Sequence, residues 1–487
     1  MLEYAVLLCV AMLAPAGGPS REVDLAEGEH LLDSGQYREA EEVFQRLVTA
    51  IEKDHGPAGE DYAVALNDLA SSWRFLGRYR EASQLFRRAI DAAERASGTE
   101  SVMLGRFLNN LGTVQEALGE NAEAIRSFQR ALAMEEKFAG AEAETATTMN
   151  NLGNLYATQA RYPEALNLFQ RALTIKERTL GPSHPSISNL QNNLGNLYAE
   201  LHDARRAEHA YRAALRIREA NSGPNHPEVA VILTNLAGLS QSEGKLTDAE
   251  CYERRALAIQ AIALGPDHPD LATTLNGLGH LMRLEQRYGE ARKLFERSIE
   301  INTRAHGPGH LSVATGWNNL AAVAEAQKQF DRAEEMYKRA LDLWEQSLGP
   351  RHPLTAAALH NLGANYVHQS RYAEAEPCYH RALSIWEEVL GPDDVNVALS
   401  LEGYARVLRH MGRKQEARKI EERAAHIRER NPLASAYTID VRDPKAAADA
   451  RSTQFPSGPI PSDSLQPSRS PAPLPTVPGH SGPANIP

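Results

Sequence analysis

The sequence predicts an all-α protein, a right-handed superhelical solenoid of about ten helix–turn–helix repeats followed by a disordered C-terminal tail. The first observation behind this is an alanine that recurs at Ala40, Ala82, Ala124, Ala165, Ala207, Ala249, Ala291, Ala333, Ala375 and Ala417. Its step is 42 residues, with a single step of 41 between Ala124 and Ala165. Self-similarity at a fixed period of this size is the signature of stacked repeats. The second observation is the pattern inside one unit, Asn150 to Pro185. Leu152, Gly153, Leu155 and Tyr156 mark one apolar helical face, and Ala165, Phe169, Ala172, Leu173 and Ile175 mark a second. The third is composition: 42% hydrophobic but only 6% aromatic residues, which suits helices packed through Ala and Leu better than sheets.

The elements follow in chain order. Tyr4 to Leu13 is nearly all apolar and is followed by Ala14, Pro15 and Ala16. That is the pattern of a secretory leader over residues 1–16, although Glu3 stands where a basic residue is usual. The expectation is therefore an exported or periplasmic protein, with a cytoplasmic location as the alternative. Cleavage would remove Cys9 and leave Cys251 and Cys378, both expected to be small buried hydrophobes rather than a disulfide pair.

The solenoid is expected over 24–430. Small residues on the first helix of each pair (Gly112, Gly153, Gly195, Ala237, Gly279, Ala321, Gly363) should face the partner helix. An aromatic row on the second (Phe44, Phe86, Phe128, Phe169, Tyr211, Tyr252, Phe295, Tyr337, Tyr379) should fill the space between pairs. Gly35, Gly77, Gly119, Gly244 and Gly412 suit the turn within a pair, where a left-handed residue ends the helix. A Gly-Pro-x-His-Pro loop joins the pairs. Gly181, Gly223, Gly265, Gly307, Gly349 and Gly391 should end the second helices, and Pro185, Pro227, Pro269 and Pro353 should open the next first helices. The column His184, His226, His268, His310 and His352 has one imidazole per repeat, too far apart to share a metal ion, and is expected to serve the loop. The first unit, with Glu27 in a leucine position, and the last, ending in a basic run to Arg430, should cap the array. From 431 to 487 the chain is rich in Pro and Ser, with nothing to bury, and is expected to be disordered.

Several function classes are disfavoured. A net charge of −11 offers no surplus of cations for phosphate, so no nucleic-acid partner is expected. No apolar run reaches the length of a membrane span. No catalytic motif stands out. Gly238 to Lys245 resembles a phosphate loop only superficially, because Leu246 replaces the Ser or Thr and no strand precedes it. Neither an enzyme activity nor a cofactor or metal is expected.

The motif NxLG-x-x-Y…A-x-x-x-[FY]-x-x-A resembles the tetratricopeptide repeat. The extension to 42 residues, with LGPSHP at 180–185 and LGPDHP at 264–269, resembles the kinesin light chain type, which also occurs in many bacterial proteins. No N-terminal heptad region of the kind that joins a motor chain is present, so the resemblance implies the fold and a peptide-binding habit but not a motor role.

In the family so resembled, the residue before the repeat leucine points into the concave groove. Here it is Asp68, Asn110, Asn151, Asn193, Asn235, Gly277, Asn319 and Asn361. One turn on lie Asn154 and Asn196. An amide offers both donor and acceptor, so a row of them can hold an extended peptide backbone. The candidate groove residues are thus Asn110, Asn151, Asn154, Asn193, Asn196, Asn235, Asn319 and Asn361. Gly277 should divide the groove into halves, about 106–242 and 315–368. The expected function is a protein-interaction scaffold for a protein or peptide partner. The alternative is a structural module that self-associates or fills its groove with its own tail, the amides bonding one another.

Overall fold

The computed structural model describes residues 21–430, with 99 and 139 excepted; the leader and tail expectations lie outside these residues. Every element among them is a helix, and the twenty helices form ten antiparallel pairs. The first helices of the pairs are α1 (Arg21–Asp33), α3 (Glu60–Phe75), α5 (Val102–Ala117), α7 (Glu142–Thr158), α9 (Pro185–Glu200), α11 (Pro227–Ser242), α13 (Leu271–Leu284), α15 (Leu311–Ala326), α17 (Pro353–His368) and α19 (Val395–His410). The second helices are α2 (Tyr37–His55), α4 (Tyr79–Ser97), α6 (Asn121–Glu135), α8 (Tyr162–Leu180), α10 (Ala204–Ser222), α12 (Leu246–Leu264), α14 (Tyr288–His306), α16 (Phe330–Leu348), α18 (Tyr372–Val389) and α20 (Lys414–Arg430). Each helix packs on its predecessor and successor, and the pairs wind into a right-handed superhelix. The first helices line the concave side and the second helices the convex side.

The packing rule within a pair is close approach at a missing side chain. A Cβ added to Gly153 would sit 2.7 Å from the Phe169 ring, and one on Gly195 would sit 2.5 Å from the Tyr211 ring. Phe169, Ala165 and Ala172 are buried to 1% exposure or less. The aromatic therefore lies on its own glycine, and it also reaches the next pair: Tyr379 meets both Gly363 and Gly403. One expectation needs correction. The aromatic position of the sixth pair is held by Glu253, not Tyr252. Glu253 is 4% exposed and its carboxylate lies under Gly277, where an added Cβ would be 2.7 Å from Oε1. The register steps from Tyr211 to 253, and the adjacent tyrosine masks the substitution in the sequence.

The turns behave as the glycines require. Gly181, Gly223, Gly265, Gly307, Gly349 and Gly391 all have φ between 83° and 93°. Within the pairs lacking a turn glycine, Ala160, His202, Gln286, Lys328 and Ser370 take the same left-handed conformation, with φ of 56–60°. Each carries a small steric cost for the shape of the corner. Pro185, Pro227 and Pro353 open their helices as expected, but α13 begins at Leu271, two residues after Pro269. There Asp270 adopts a helical φ/ψ and makes no side-chain cap, so the 268–270 segment forms a turn instead. Cys251 is exposed, contrary to expectation, and Cys378 is partly buried.

Candidate peptide-binding groove

The concave face is built on an asparagine ladder, and its partners are asparagines too. Asn110 Nδ2 donates to Asn67 Oδ1 at 3.1 Å, Asn151 to Asn109 at 3.0 Å, Asn193 to Asn150 at 2.9 Å, and Asn235 to Asn192 at 2.9 Å. Asn361 donates to Asn318 at 3.0 Å. Each bond thus joins a first helix to the residue before the equivalent asparagine one repeat back. The acceptor row, Asn67, Asn109, Asn150, Asn192 and Asn318, is what the sequence argument missed. Its signal is the doubled Asn-Asn at 109–110, 150–151, 192–193 and 318–319, recurring with the repeat.

The ladder is interrupted where Gly277 predicted it, and the break is wider than one residue. Thr234 stands in the acceptor row opposite Gly277. In the next repeat the buried Asn276 Oδ1 has no hydrogen-bond partner, although Asn319 occupies the donor position. The ladder therefore runs in two stretches, Asn67 to Asn235 and Asn318 to Asn361.

One turn along the groove, Asn196 Oδ1 accepts a hydrogen bond from the Tyr211 hydroxyl at 2.7 Å. Asn154 and Asn319 are partly exposed and make no hydrogen bond within the described residues. Beyond the amides lie carboxyls. Burial raises Glu116 to about 7. Glu200 is raised to about 7 as well, burial outweighing its hydrogen bond from Tyr162. Further along, Glu325 accepts from the Tyr337 hydroxyl at 2.8 Å and lies 3.6 Å from His368 Nε2. Arg283 reaches His280 on the same helix at 3.4 Å. The first stretch therefore carries amides and protonatable carboxyls, with Arg106 near Asp68 at its start, and His280 and Arg283 lie in the gap between the stretches.

The histidines of the column cap the helices they precede, except His268, whose contact lies in the turn before α13. The Nδ1 of His184, His226, His268 and His310 accepts the backbone N–H two residues on at 3.3 Å, and His352 does so at 3.2 Å. In the last repeat Asp394 takes the same role, accepting the Asn396 N–H at 2.8 Å. An N-cap needs an acceptor aimed at the first free amides, and a neutral imidazole supplies one. No group of three His, Cys, Asp or Glu side chains able to hold a metal ion occurs among the described residues. No described helix is long and apolar enough to cross a membrane. The segment that resembled a phosphate loop is the end of α11 and its turn, with Lys245 paired to Glu243 at 3.1 Å.

A sequence pattern described as the tetratricopeptide repeat matches 23–95, 70–137, 103–178, 144–220, 186–262, 254–304, 270–321, 312–379 and 358–430, covering the whole solenoid. The chain belongs to the tetratricopeptide repeat family. Its repeats are 42 residues long, with one step of 41. No curated protein matches the chain. Among solved structures, the chain is similar to BtubC (BKLC) from P. vanneervenii, with 26% identity over 49% of this chain and 91% of that one, at a TM-score of 0.39. It is similar to a Podosopora anserina protein described as a kinesin light chain of nearly identical TPR-like repeats, with 23% identity over 43% of this chain and 99% of that one, at a TM-score of 0.36. It is also similar to the apo form of the quorum sensor NprR from B. thuringiensis, with 12% identity over 76% of this chain and 99% of that one, at a TM-score of 0.57. That last likeness bears on the fold. Tetratricopeptide repeat proteins of this architecture are protein-interaction scaffolds and are typically non-catalytic.

Proposed function

We propose that the concave groove binds an extended segment of a partner protein, without catalysis, and that its amides hold the partner's backbone. The observation that carries this is the pre-set ladder. Each of the five donor asparagines gives one amide hydrogen to the ladder, while an amide offers two donors and two acceptor lone pairs in all. Orientation is thus settled before a ligand arrives, which reduces the ordering cost of binding. Asn154 and Asn319, whose side chains make no hydrogen bond among the described residues, are the amides best placed to meet the partner directly. The export of the protein, expected from residues 1–16, would place that partner outside the cytoplasm.

A second reading has its own support. Five ladder bonds join asparagine to asparagine, which is what a purely structural role requires. In that case the groove would be filled by a second copy or by residues 431–487, and the chain would serve as an assembly module.

The test is to select binders from a displayed library of random twelve-residue peptides on the full chain. Selected peptides should lose at least tenfold in affinity for Asn154→Ala with Asn319→Ala, at an unchanged melting temperature. Equal affinity for both proteins would remove the amides from recognition. Peptides that bind only after residues 431–487 are deleted would favour the self-filled groove.

A further inference from the structure

The convex side holds a cavity of about 570 Å³ between α8 and α10, above α9. Its floor is apolar, formed by Leu173, Leu194, Tyr198 and Ala210, and its rim carries Arg205, Arg206 and His209. Arg206 is tied to Asp203 at 3.3 Å and lies over the Tyr198 ring at 5.6 Å. Arg205 and His209 are exposed and have no carboxylate partner among the described residues. In a chain with a net charge of −11, α10 carries five arginines against two glutamates.

The repeat itself shows that this space is an exception. Gln191 lines the cavity at a position that is Leu108, Met149, Leu233, Leu275, Trp317 or Leu359 in the surrounding repeats. Ala213, beside it, replaces the Arg130, Arg171, Arg255 and Arg297 of other second helices. Arginines at this position reach the preceding second helix or its C-terminal end: Arg171 pairs with Glu136 at 2.7 Å, Arg255 with Glu219 at 2.5 Å and Arg381 with Glu345 at 2.6 Å. Between α8 and α10 this tie is missing, because Ala213 carries no charge. Between α14 and α16 the counterparts of Gln191 and Ala213 are Trp317 and Arg339, and they occupy the space with the guanidinium 4.2 Å from the indole centroid. Among the described pairs, α8 and α10 alone lack both the filler and this tie.

We propose that this cavity is a binding site for an amphipathic organic anion. The apolar body lies on Leu173, Leu194, Tyr198 and Ala210, and the acid group meets Arg205 and His209 at the rim. The volume is in the range of small-molecule sites, and an apolar floor with a few convergent polar groups is their usual make-up. Arginine's fixed fork of donors matches a carboxylate or sulfonate. Gln191, polar where its counterparts are apolar, adds a donor and an acceptor to the floor. The site is on the opposite face from the peptide groove and does not depend on it.

The test titrates the full chain with 8-anilinonaphthalene-1-sulfonate, using decanoate as competitor. The wild type should show one saturable fluorescent site per chain, emptied by decanoate. Gln191→Leu with Ala213→Arg writes the residues of the other repeats into the fifth, so it should melt at a higher temperature and bind the dye at least tenfold more weakly. Arg205→Glu with His209→Glu, both at exposed positions, should lose as much affinity with no change in melting. If the first pair folds poorly, Gln170→Trp, introduced from an exposed lining position, fills the same space. Wild-type dye binding in a folded cavity-filled variant, dye that decanoate cannot displace, or no saturable site in the wild type would each overturn the proposal.

Discussion

Asn193 and Asn150 are both buried, and the amide of the first donates to the carbonyl of the second, 43 residues back, at 2.9 Å. This contact crosses a repeat boundary. It ties α9 to α7 through polar atoms in a wall otherwise made of Leu, Ala and Gly. Truncating one partner should leave a buried amide unpaired and cost about 1–3 kcal/mol. A double-mutant cycle of Asn150→Ala and Asn193→Ala, read by urea unfolding, should return a coupling of about 1 kcal/mol. Strict additivity would mean the bond contributes nothing.

The glycines divide into two kinds with opposite expectations. Gly195→Ala must displace the Tyr211 ring, which lies 2.5 Å from the new methyl group, and should destabilise by about 1–3 kcal/mol. Gly289, inside α14, has nothing within 4 Å of its missing Cβ. Gly289→Ala should stabilise, by up to about 1 kcal/mol. Melting curves of the two variants should therefore move in opposite directions.

The histidine caps make the inter-repeat loops sensitive to acid. A protonated Nδ1 can no longer accept the amide hydrogen. Burial lowers His352, and burial together with the neighbouring His306 lowers His310. The folded state then binds fewer protons than the unfolded chain, so this contribution is complete above about pH 6.5 and is lost as the pH falls below it. His352→Ala should cost about 0.5–2 kcal/mol at pH 7.5. His352→Asp, which copies Asp394, should keep most of that stability and also hold it at pH 5. Equal melting of His352→Asp and wild type at both values would show that protonation of the cap is harmless.

The groove carboxyls act with the opposite sign. Glu116 and Glu200 are raised to about 7 by burial, so the folded state holds their protons longer than the unfolded chain does. Their contribution is complete below about pH 4.3 and is lost as the pH rises through about 7. Glu116→Gln should raise stability at pH 8 by on the order of 1 kcal/mol, since the group is only partly buried. At pH 4 it should change nothing. A benefit of equal size at both values would point to a packing effect instead.

Most of the fold could be read from the sequence, because every pair repeats the same solution. The alanine period located all ten pairs, and glycine and proline marked the loops. What could not be read were features that depend on the neighbouring repeat. The acceptor asparagines sit one residue from the donors, and only the superhelix shows that the bond skips from Asn193 to Asn150 rather than to Asn151. Glu253 escaped notice because Tyr252 adjoins it. The exposure of Cys251 follows from its place on the outer surface of α12, which an apolar-residue count does not reveal. Of the candidate groove residues, six are donors or would-be donors of the ladder, and Asn154 and Asn196 form a second row whose role depends on what enters the groove.

The gap in the ladder has a mechanical meaning. Forces along a solenoid pass only between adjacent repeats, so the array can be no stiffer than its weakest junction. Between α11 and α15 the tension-bearing asparagine links are replaced by Thr234 facing Gly277 and by an Asn276 oxygen with no donor. Stretched from its ends, the molecule should behave as two stiff springs joined by a soft coupling, yielding first near the seventh pair while the halves on either side keep their curvature.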